Sequence, residues 1–382
     1  MIGPELIPCL LAFALALVFA LVVNGWRQRL EDASPGSPSA ASLIGPVPMV
    51  TLIVPARNAA DTITGLLQDL YAQTWPRDRL DVIVVDDAST DATRAIVDGF
   101  TRTWPGLRCI PNTGVGKKAA IATGAEAAYG ELLILTDADA RCGCDRVPLI
   151  VQHQRTNGSD LVLLPVVTRS DGRLIGRLQE AEQAALFGVA AATALNGTPV
   201  LANGANMAVT REAFFRVGGY IGDRWASGDD VFLLARMKQA GRRISYLPDR
   251  GAMVTVDAEQ AFSGFWQQRL RWAGKMRGVP GAGKWLGASG LLLPWSLLAL
   301  TLWFDAPAAA GHGLFGGTWL LLSAWLLWIV PVLLLVRAAD RSLERRSNVI
   351  GNAVALCAFS IYAPVIAVCA LFVRPTWKGR RI

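Results

Sequence analysis

Four stretches of this 382-residue chain run for twenty residues or more without Asp, Glu, Lys or Arg: Leu6 to Trp26, Trp285 to Phe304, Gly313 to Val336 and Ser347 to Val373. A helix crossing the hydrocarbon layer needs about 20 apolar residues, so each stretch is long enough to span. The chain is therefore expected to be a multi-pass membrane protein. Between the first and second stretches, Arg27 to Lys284 is of a size to fold around its own core and must hold the chemistry. With 52% hydrophobic and 18% charged residues, disordered, collagen-like and acidic-tail classes are excluded. The two histidines, His153 and His312, argue against a His-dependent triad or a multi-histidine zinc site. Six cysteines divide between apolar stretches (Cys9, Cys357, Cys369) and the polar segment (Cys109, Cys142, Cys144). They lack the dense spacing of a secreted disulfide scaffold and read as reduced thiols, with Cys142 and Cys144 as small loop residues.

Orientation follows Lys and Arg in short loops beside the spans. Nothing basic precedes Leu6 except the amino terminus, whereas Arg27 and Arg29 follow at once. This places the start outside and the large segment in the cytoplasm, on an inner or plasma membrane. The residues after the first stretch, Trp-Arg-Gln-Arg, do not resemble a small-residue cleavage site, so an uncleaved anchor is expected. Asp305 to His312 carries no Lys or Arg and reads as external; Arg337, Arg341, Arg345 and Arg346 read as internal. Four full crossings would leave Arg374, Lys378, Arg380 and Arg381 outside, against the rule. Pro364 offers a break that turns the last stretch into a re-entrant or interfacial piece, and the sequence leaves the side of the tail open. Although the net charge is +7, the basic residues collect near the membrane and not on an aromatic-lined groove, so no nucleic-acid partner is expected.

The expected organisation is an anchor at 1–30, a Ser-, Pro-, Gly- and Ala-rich linker at 31–48, a folded domain at 49–258, an interfacial helix at 259–284 and a membrane region of about three hydrophobic segments at 285–382. Within the domain, apolar β-branched runs at Met49–Val54, Leu80–Val85, Leu107–Ile110 and Glu131–Thr136 alternate with helical spacing at Thr62–Tyr71, Ala92–Thr103 and Lys117–Tyr129. That is a βαβ series, which implies an α/β fold with a mainly parallel sheet covered on both faces and ligand beyond the carboxyl ends of its strands.

Polar residues gather at those strand ends. The first run ends in Pro55-Ala56-Arg57-Asn58, the second in Asp86-Asp87-Ala88-Ser89-Thr90-Asp91, the fourth in Thr136-Asp137-Ala138-Asp139. Asp86 to Asp91 alone also suits a helix start with Ser, Thr and Asp caps. Asp137 and Asp139 bracketing one residue would repel unless a cation sits between them, and oxygen ligands beside a diphosphate suit Mg²⁺ or Mn²⁺. Gly114, Gly116 and Lys117 before a helix add backbone amides and a point cation, both favourable to phosphate. Neither GxxxxGK[ST] nor GxGxxG follows a strand of this series, so neither an ATPase nor a dinucleotide enzyme is supported.

The series Val54-Pro55-Ala56-Arg57-Asn58, Val85-Asp86-Asp87-Ala88-Ser89, Asp137-Ala138-Asp139, Ser227-Gly228-Asp229-Asp230 and Gln268-Arg269-Leu270-Arg271-Trp272 resembles the membrane-bound family 2 glycosyltransferases. The likeness covers roughly Met49 to Gly278 and includes the DxD and QxxRW motifs shared by processive polysaccharide synthases and ceramide glucosyltransferases. It implies a GT-A fold, a nucleotide-diphosphate sugar donor, a divalent metal and inversion at the anomeric carbon. This chain departs from the pattern at Arg57, where the family often has an aromatic residue, and at Gly228-Asp229-Asp230, where the family often has Glu-Asp or Thr-Glu-Asp.

Carried over, the resemblance implies that Asp86 holds the nucleobase with Asp87 in support, that Pro55, Arg57 and Asn58 shape the nucleoside pocket, and that Lys117 assists the diphosphate. Asp137 would contact the ribose or donor sugar and share the metal with Asp139. Asp230 is the expected base, at the first turn of a helix over Val231–Gln239, with Asp229 beside it as a cap. Gln268, Arg271 and Trp272 fall at i, i+3 and i+4, so a helix from about Gln260 to Met276 presents them on one face. Arg269, Lys275 and Arg277 are expected to attach that helix to lipid headgroups, while Gln268 and Arg271 cover the diphosphate and Trp272 faces the acceptor. Gly172 to Leu195 reads as an interfacial, acceptor-lining or core helix. The Asn203-Gly204-Ala205-Asn206 segment reads either as amides for sugar hydroxyls or as a turn. The function expected is transfer of a sugar to a lipid acceptor; a processive exopolysaccharide synthase and a non-catalytic nucleotide-sugar-binding membrane protein are the alternatives.

Overall fold

The computed structural model describes residues 6–33, 46–223, 227–276, 278, 282–304, 315–373, 376–378 and 380–381. Most of the linker, the loop read as external with His312, and Arg277 and Arg374 lie outside the described residues. The strands of the domain are β1 (Val50–Ala56), β2 (Leu80–Asp86), β3 (Leu107–Pro111), β4 (Leu132–Thr136), β5 (Arg141–Cys142), β6 (Leu161–Leu163), β7 (Val166–Arg169), β8 (Asn206–Thr210), β9 (Ile244–Tyr246) and β10 (Val254–Asp257), with a tail pair β11 (Thr376–Trp377) and β12 (Arg380–Arg381). The helices are α1 (Ile7–Asp32), α2 (Ile63–Tyr71), α3 (Thr93–Thr101), α4 (Lys117–Ala127), α5 (Arg146–Asn157), α6 (Leu174–Leu195), α7 (Arg211–Arg216), α8 (Asp229–Gln239), α9 (Phe262–Met276), α10 (Ala282–Phe304), α11 (Phe315–Ser342) and α12 (Val349–Phe372).

Continuous β-branched runs form the centre because both faces of β1, β2 and β4 are buried, and nearly every residue of these strands is inaccessible. The main sheet has the order β3-β2-β1-β4-β8-β6-β9. Strands β3, β2, β1 and β4 run parallel, and β8 is antiparallel to both β4 and β6. This is a GT-A-like α/β fold with a mostly parallel sheet. Helices α2, α3 and α5 cover one face through Leu66, Leu70, Val97 and Ile150. The other face packs on α4, α6 and α8 through Ile121, Phe187 and Leu233, and there Val23, Leu30 and Leu335 from α1 and α11 join the same core.

Register aligns the ends that matter. Ala56 lies opposite Asp86, Asp86 opposite Pro111, and Thr136 opposite Asn206. The segments leaving β1, β2, β3 and β4 therefore emerge side by side at one rim.

Three helices, Ile7–Asp32, Gly317–Ser342 and Val349–Phe372, are long and apolar enough to cross a membrane, and Ala288–Trp303 forms a shorter apolar helix. Ala12, Ala16, Leu293, Leu297, Ala324 and Trp328 pack α1, α10 and α11 together, while Leu11, Leu21, Leu302 and Leu326 are more than half exposed and suit contact with acyl chains. Helix α12 runs unbroken through Pro364, so the proline does not divide it. Arg345, just before α12, ion-pairs with Glu180 of α6. Ile366 and Ala370 pack on Leu270 of α9, and beyond α12 the Thr376 amide donates to Gln267 Oε1 at 2.9 Å. The helix thus begins and ends against the folded domain.

Gly130 sits where the turn into β4 crosses β1. A Cβ there would lie 2.5 Å from the Thr51 nitrogen and 2.7 Å from the Val50 carbonyl carbon, and main chain in a central strand has little room to retreat. Gly130→Ala is expected to destabilise the domain by about 1–3 kcal/mol, measured as a lowered thermal midpoint in detergent.

Candidate active site

One cleft of about 980 Å³ opens at the rim. It is lined by Pro55 and Arg57 after β1, Lys117 at the start of α4, Asp137 and Asp139 after β4, Asp229 and Asp230 at the start of α8, and Gln268, Arg271 and Trp272 of α9. Asn58, Asp86 and Asp87 do not line it. They lie behind its edge, where the backbone is unusual: Asn58 and Ala88 adopt φ of 46° and 52°, left-handed conformations that a non-glycine residue adopts only when its surroundings enforce it. The enforcement is visible. Asn58 Oδ1 accepts from the Thr90 amide at 2.8 Å, and Arg57 Nη1 donates to the carbonyls of Asp87 and Ala88 at 2.6 and 2.8 Å. Buried Asp86 accepts from the Ser89 amide at 3.2 Å. Asp87 accepts from Asn112 Nδ2 at 2.8 Å and the Gly116 amide at 3.1 Å, tying the end of β2 to the glycine loop before α4.

The electrostatic centre is Lys117. Its Nζ lies 2.7 Å from Asp137 Oδ1 and 3.0 Å from Asp229 Oδ2. Burial disfavours the charge on Lys117, but the two carboxylates outweigh it and its pKa is raised. Burial pushes the Asp137 carboxyl up to about 6; Lys117 opposes this, and Asp139 and Asp229 add to it. Gly204 is the floor of this pair, since a Cβ there would fall 2.1 Å from Asp229 Oδ2. Its neighbours support the turn reading. Asn203 Oδ1 accepts from the Ala205 amide at 3.1 Å. Buried Asn206 is committed to structure, accepting from Arg146 at 2.8 Å and donating to the Pro165 and Ala252 carbonyls at 2.7 and 2.9 Å.

A second charge pair faces the first. Lys275 Nζ lies 3.0 and 3.1 Å from the two carboxylate oxygens of Asp230. Burial raises the Asp230 carboxyl, but Lys275, the Val231 amide at 2.7 Å and the more distant Lys117 outweigh it and hold its pKa below the usual carboxylate value. Arg271 is half-buried; desolvation lowers its pKa, and the fields of Glu259, Asp137 and Asp139 oppose that.

The lipid-facing role expected of the basic residues on α9 is overturned. Arg269 is buried and ion-paired with Glu182 of α6, and Lys275 turns into the cleft to Asp230. Both find acidic partners more than 40 residues away, which local spacing does not reveal. Helix α6 bears out the core reading through Phe187 and Ala191, and its Gln179 and Gln183 line the cleft.

Three contributors escaped the sequence reading. Lys275 is one. Tyr220 is another: it lines the cleft, is 8% exposed, and its buried hydroxyl has no hydrogen-bond partner among the described residues. The third is the tail. Arg380 Nη1 lies 2.6 Å from Asp87 Oδ2, Lys378 Nζ donates to the Asn58 carbonyl at 3.0 Å, and Arg57 Nε donates to the Lys378 carbonyl at 3.2 Å. The signal available in the sequence was the tail's positive charge, which was read for topology alone. All six cysteines are free thiols.

Among the described residues, no group of three or more His, Cys, Asp or Glu is arranged to hold a metal ion. Asp137 and Asp139 nevertheless offer two oxygen donors at one strand end, and burial beside Asp139 and Asp229 drives Asp137 toward protonation. That donor set fits a hard divalent cation whose remaining ligands come from phosphate and water.

Comparison with known proteins agrees with this geometry. Residues 51–218 match the model of the family described as Glycosyl transferase family 2. A probable glycosyltransferase, YdaM, from Bacillus subtilis is 26% identical over 266 residues, 67% of this chain and 59% of the relative. The beta-monoglucosyldiacylglycerol synthase of Synechocystis is 28% identical over 248 residues, 64% of this chain and 50% of the relative. This chain thus spans only 50 to 59% of the length of these two relatives. Among solved structures, the mannosyltransferase PcManGT from Pyrobaculum calidifontis, in complex with GDP-Man and Mn2+, superposes with a TM-score of 0.58 at 23% identity, covering 94% of this chain and 99% of that one.

Lys117→Met is expected to leave Asp137 and Asp229 without their cation. The cost at pH 7.5 is roughly 1–2 kcal/mol, below the 3–5 of a fully enclosed pair because Asp137 is 32% exposed. A carboxyl whose folded pKa is raised destabilises progressively as pH rises through that value. The deficit relative to the wild type should therefore be small at pH 5 and full at pH 7.5, read by thermal unfolding in EDTA.

Proposed function

Because residues 51–218 form a glycosyl transferase family 2 domain, we propose that this chain transfers a sugar from a nucleotide diphosphate to a lipid hydroxyl at the membrane surface, inverting the anomeric carbon. The observation that carries this reading is the cleft itself. It gathers Lys117, Asp137 and Asp139 beside Asp229 and Asp230, and Gln268, Arg271 and Trp272 of α9 complete the lining. The same α9 packs directly on apolar α12.

The acceptor hydroxyl attacks the anomeric carbon from the face away from the diphosphate. Asp230 takes its proton, a role that Lys275 favours by keeping the carboxylate ionised and that general-base chemistry requires. Lys117 and Arg271 present positive charge to the departing diphosphate, where fixed charge in a shielded cleft is most effective. A Mg²⁺ or Mn²⁺ ion on Asp137 and Asp139 would neutralise further charge on the leaving group, and the solved relative's complex with GDP-Man and Mn2+ supports that expectation. Pro55 and Arg57 form the nucleoside end, braced from behind by Asn58, Asp86 and Asp87. A lipid acceptor is supported by the glucosyldiacylglycerol synthase relative and by the apolar helices beside α9. Arg27, Arg29 and the basic residues around Arg337–Arg346 support a cytoplasmic cleft. On that reading α12 lies at the interface and the tail returns to the same side.

The decisive experiment incubates the protein in membranes with a panel of radiolabelled nucleotide sugars and separates organic-soluble lipid from insoluble polymer. Label in lipid is expected; label in a ladder of polymer would assign polysaccharide synthesis instead. Asp230→Asn should reduce transfer by on the order of 10²–10⁴ with donor affinity within a few-fold, and near-normal turnover would refute Asp230 as the base. Lys275→Met should let burial dominate at Asp230 and raise its pKa. The acid limb of the pH–rate profile should then move to higher pH, with the largest loss of activity at the acidic end.

A further inference from the structure

We propose that Glu182 and Tyr362 are positioning residues for the α9 motif, acting through Arg269 to couple the seating of α12 to the shape of the cleft. The kinetic consequence rests on the glycosyltransferase reading above; the geometry does not. Three elements from distant parts of the chain meet at one buried ion pair. The Arg269 and Glu182 side chains are 4% and 7% exposed, and a pair taken out of water repays its desolvation only when further hydrogen bonds complete it. Here they do. Glu182 Oε2 accepts from Arg269 Nε at 3.1 Å, from Arg269 Nη2, and from the Tyr362 hydroxyl at 3.0 Å. On its other side Arg269 Nη1 donates to Gln179 Oε1 at 3.3 Å and to Gln268 Oε1.

The guanidinium thereby acts on two residues of the cleft. Its central carbon lies 4.7 Å from the centre of the Trp272 ring and 4.3 Å from that of Phe265, within cation–π range of both. The position of Arg269 therefore restrains the Trp272 ring. Gln268, with its oxygen engaged by Arg269, can offer only its amide N–H donors to the cleft, which is the polarity a diphosphate oxygen needs. Tyr362 supplies the link to α12, and its own ring is held edge-on to Phe265 at 5.4 Å. A shift of α12 in the membrane plane would move the hydroxyl off Glu182, loosen Arg269 and change the orientation of Gln268 and Trp272.

Tyr362→Phe removes the hydroxyl and keeps the ring. In the full chain, reconstituted in phosphatidylcholine vesicles containing diacylglycerol as the probe acceptor, it is expected to raise KM for diacylglycerol about tenfold, the worth of one hydrogen bond to a charged group. The kcat and the affinity for UDP and GDP with Mn²⁺ should stay within about twofold on the same scale. Amide hydrogen exchange should quicken about tenfold across Phe262–Met276 and stay unchanged in β1, β2 and β4. Arg269→Lys should reproduce the KM defect, because an ammonium can neither bind Glu182 through a fork nor lie flat against Trp272. Glu182→Gln should have a larger effect, and if it fails to fold, Tyr362→Phe decides alone. Unchanged exchange in α9, or faster exchange with unaltered KM, overturns the proposal. If the wild type moves no label from any nucleotide sugar, the glycosyltransferase reading fails, and exchange in α9 alone then upholds or refutes the positioning role.

Discussion

Carboxylates crowded into one half-buried cleft repel, and the site is stable because two lysines stand between them. Lys117 bridges Asp137 and Asp229, and Lys275 clasps Asp230. At separations near 3 Å in a partly shielded environment such pairs are worth several times their value in open water. They therefore fix where α4, α8 and α9 stand relative to the end of β4. Remove the cations and burial drives the carboxyls toward protonation, as Asp137 already shows with its pKa near 6.

The second organising constraint is the junction between the domain and its apolar helices. The core of the α4 and α6 face continues into α1 and α11 through Val23, Leu30 and Leu335, so the domain is built onto its apolar helices. Helix α12 lies against α6 and α9, and the tail beyond it reaches Asn58 and Asp87. The apolar helices and the cleft are consequently parts of one packed unit.

Much of this was legible in the chain. Continuous apolar β-branched runs located β1 to β4 within a residue or two, because strands buried on both faces take apolar residues at every position. The strand-end motifs pointed to Pro55, Arg57, Lys117, Asp137, Asp139, Asp229 and Asp230, which share one cleft, since a parallel sheet delivers all its carboxyl ends to one rim. Helical spacing placed Gln268, Arg271 and Trp272 on one face of α9. The pairing of Arg269 with Glu182 and of Lys275 with Asp230 was not legible. A lysine or arginine on an amphipathic helix has the same local pattern whether it meets a lipid headgroup or a buried carboxylate.

The sequence by itself determined the α/β architecture, the apolar helices and the identity of the polar residues at the strand ends, because hydrophobic period and strand polarity are local properties of the chain. Only the tertiary structure decided that α12 returns to the domain, that the basic tail meets Asp87, and that Asn206 is structural while Gly204 forms the floor under Asp229. Those outcomes depend on charge and shape complementarity between segments up to 321 residues apart. Such complementarity comes into being only when the chain has folded.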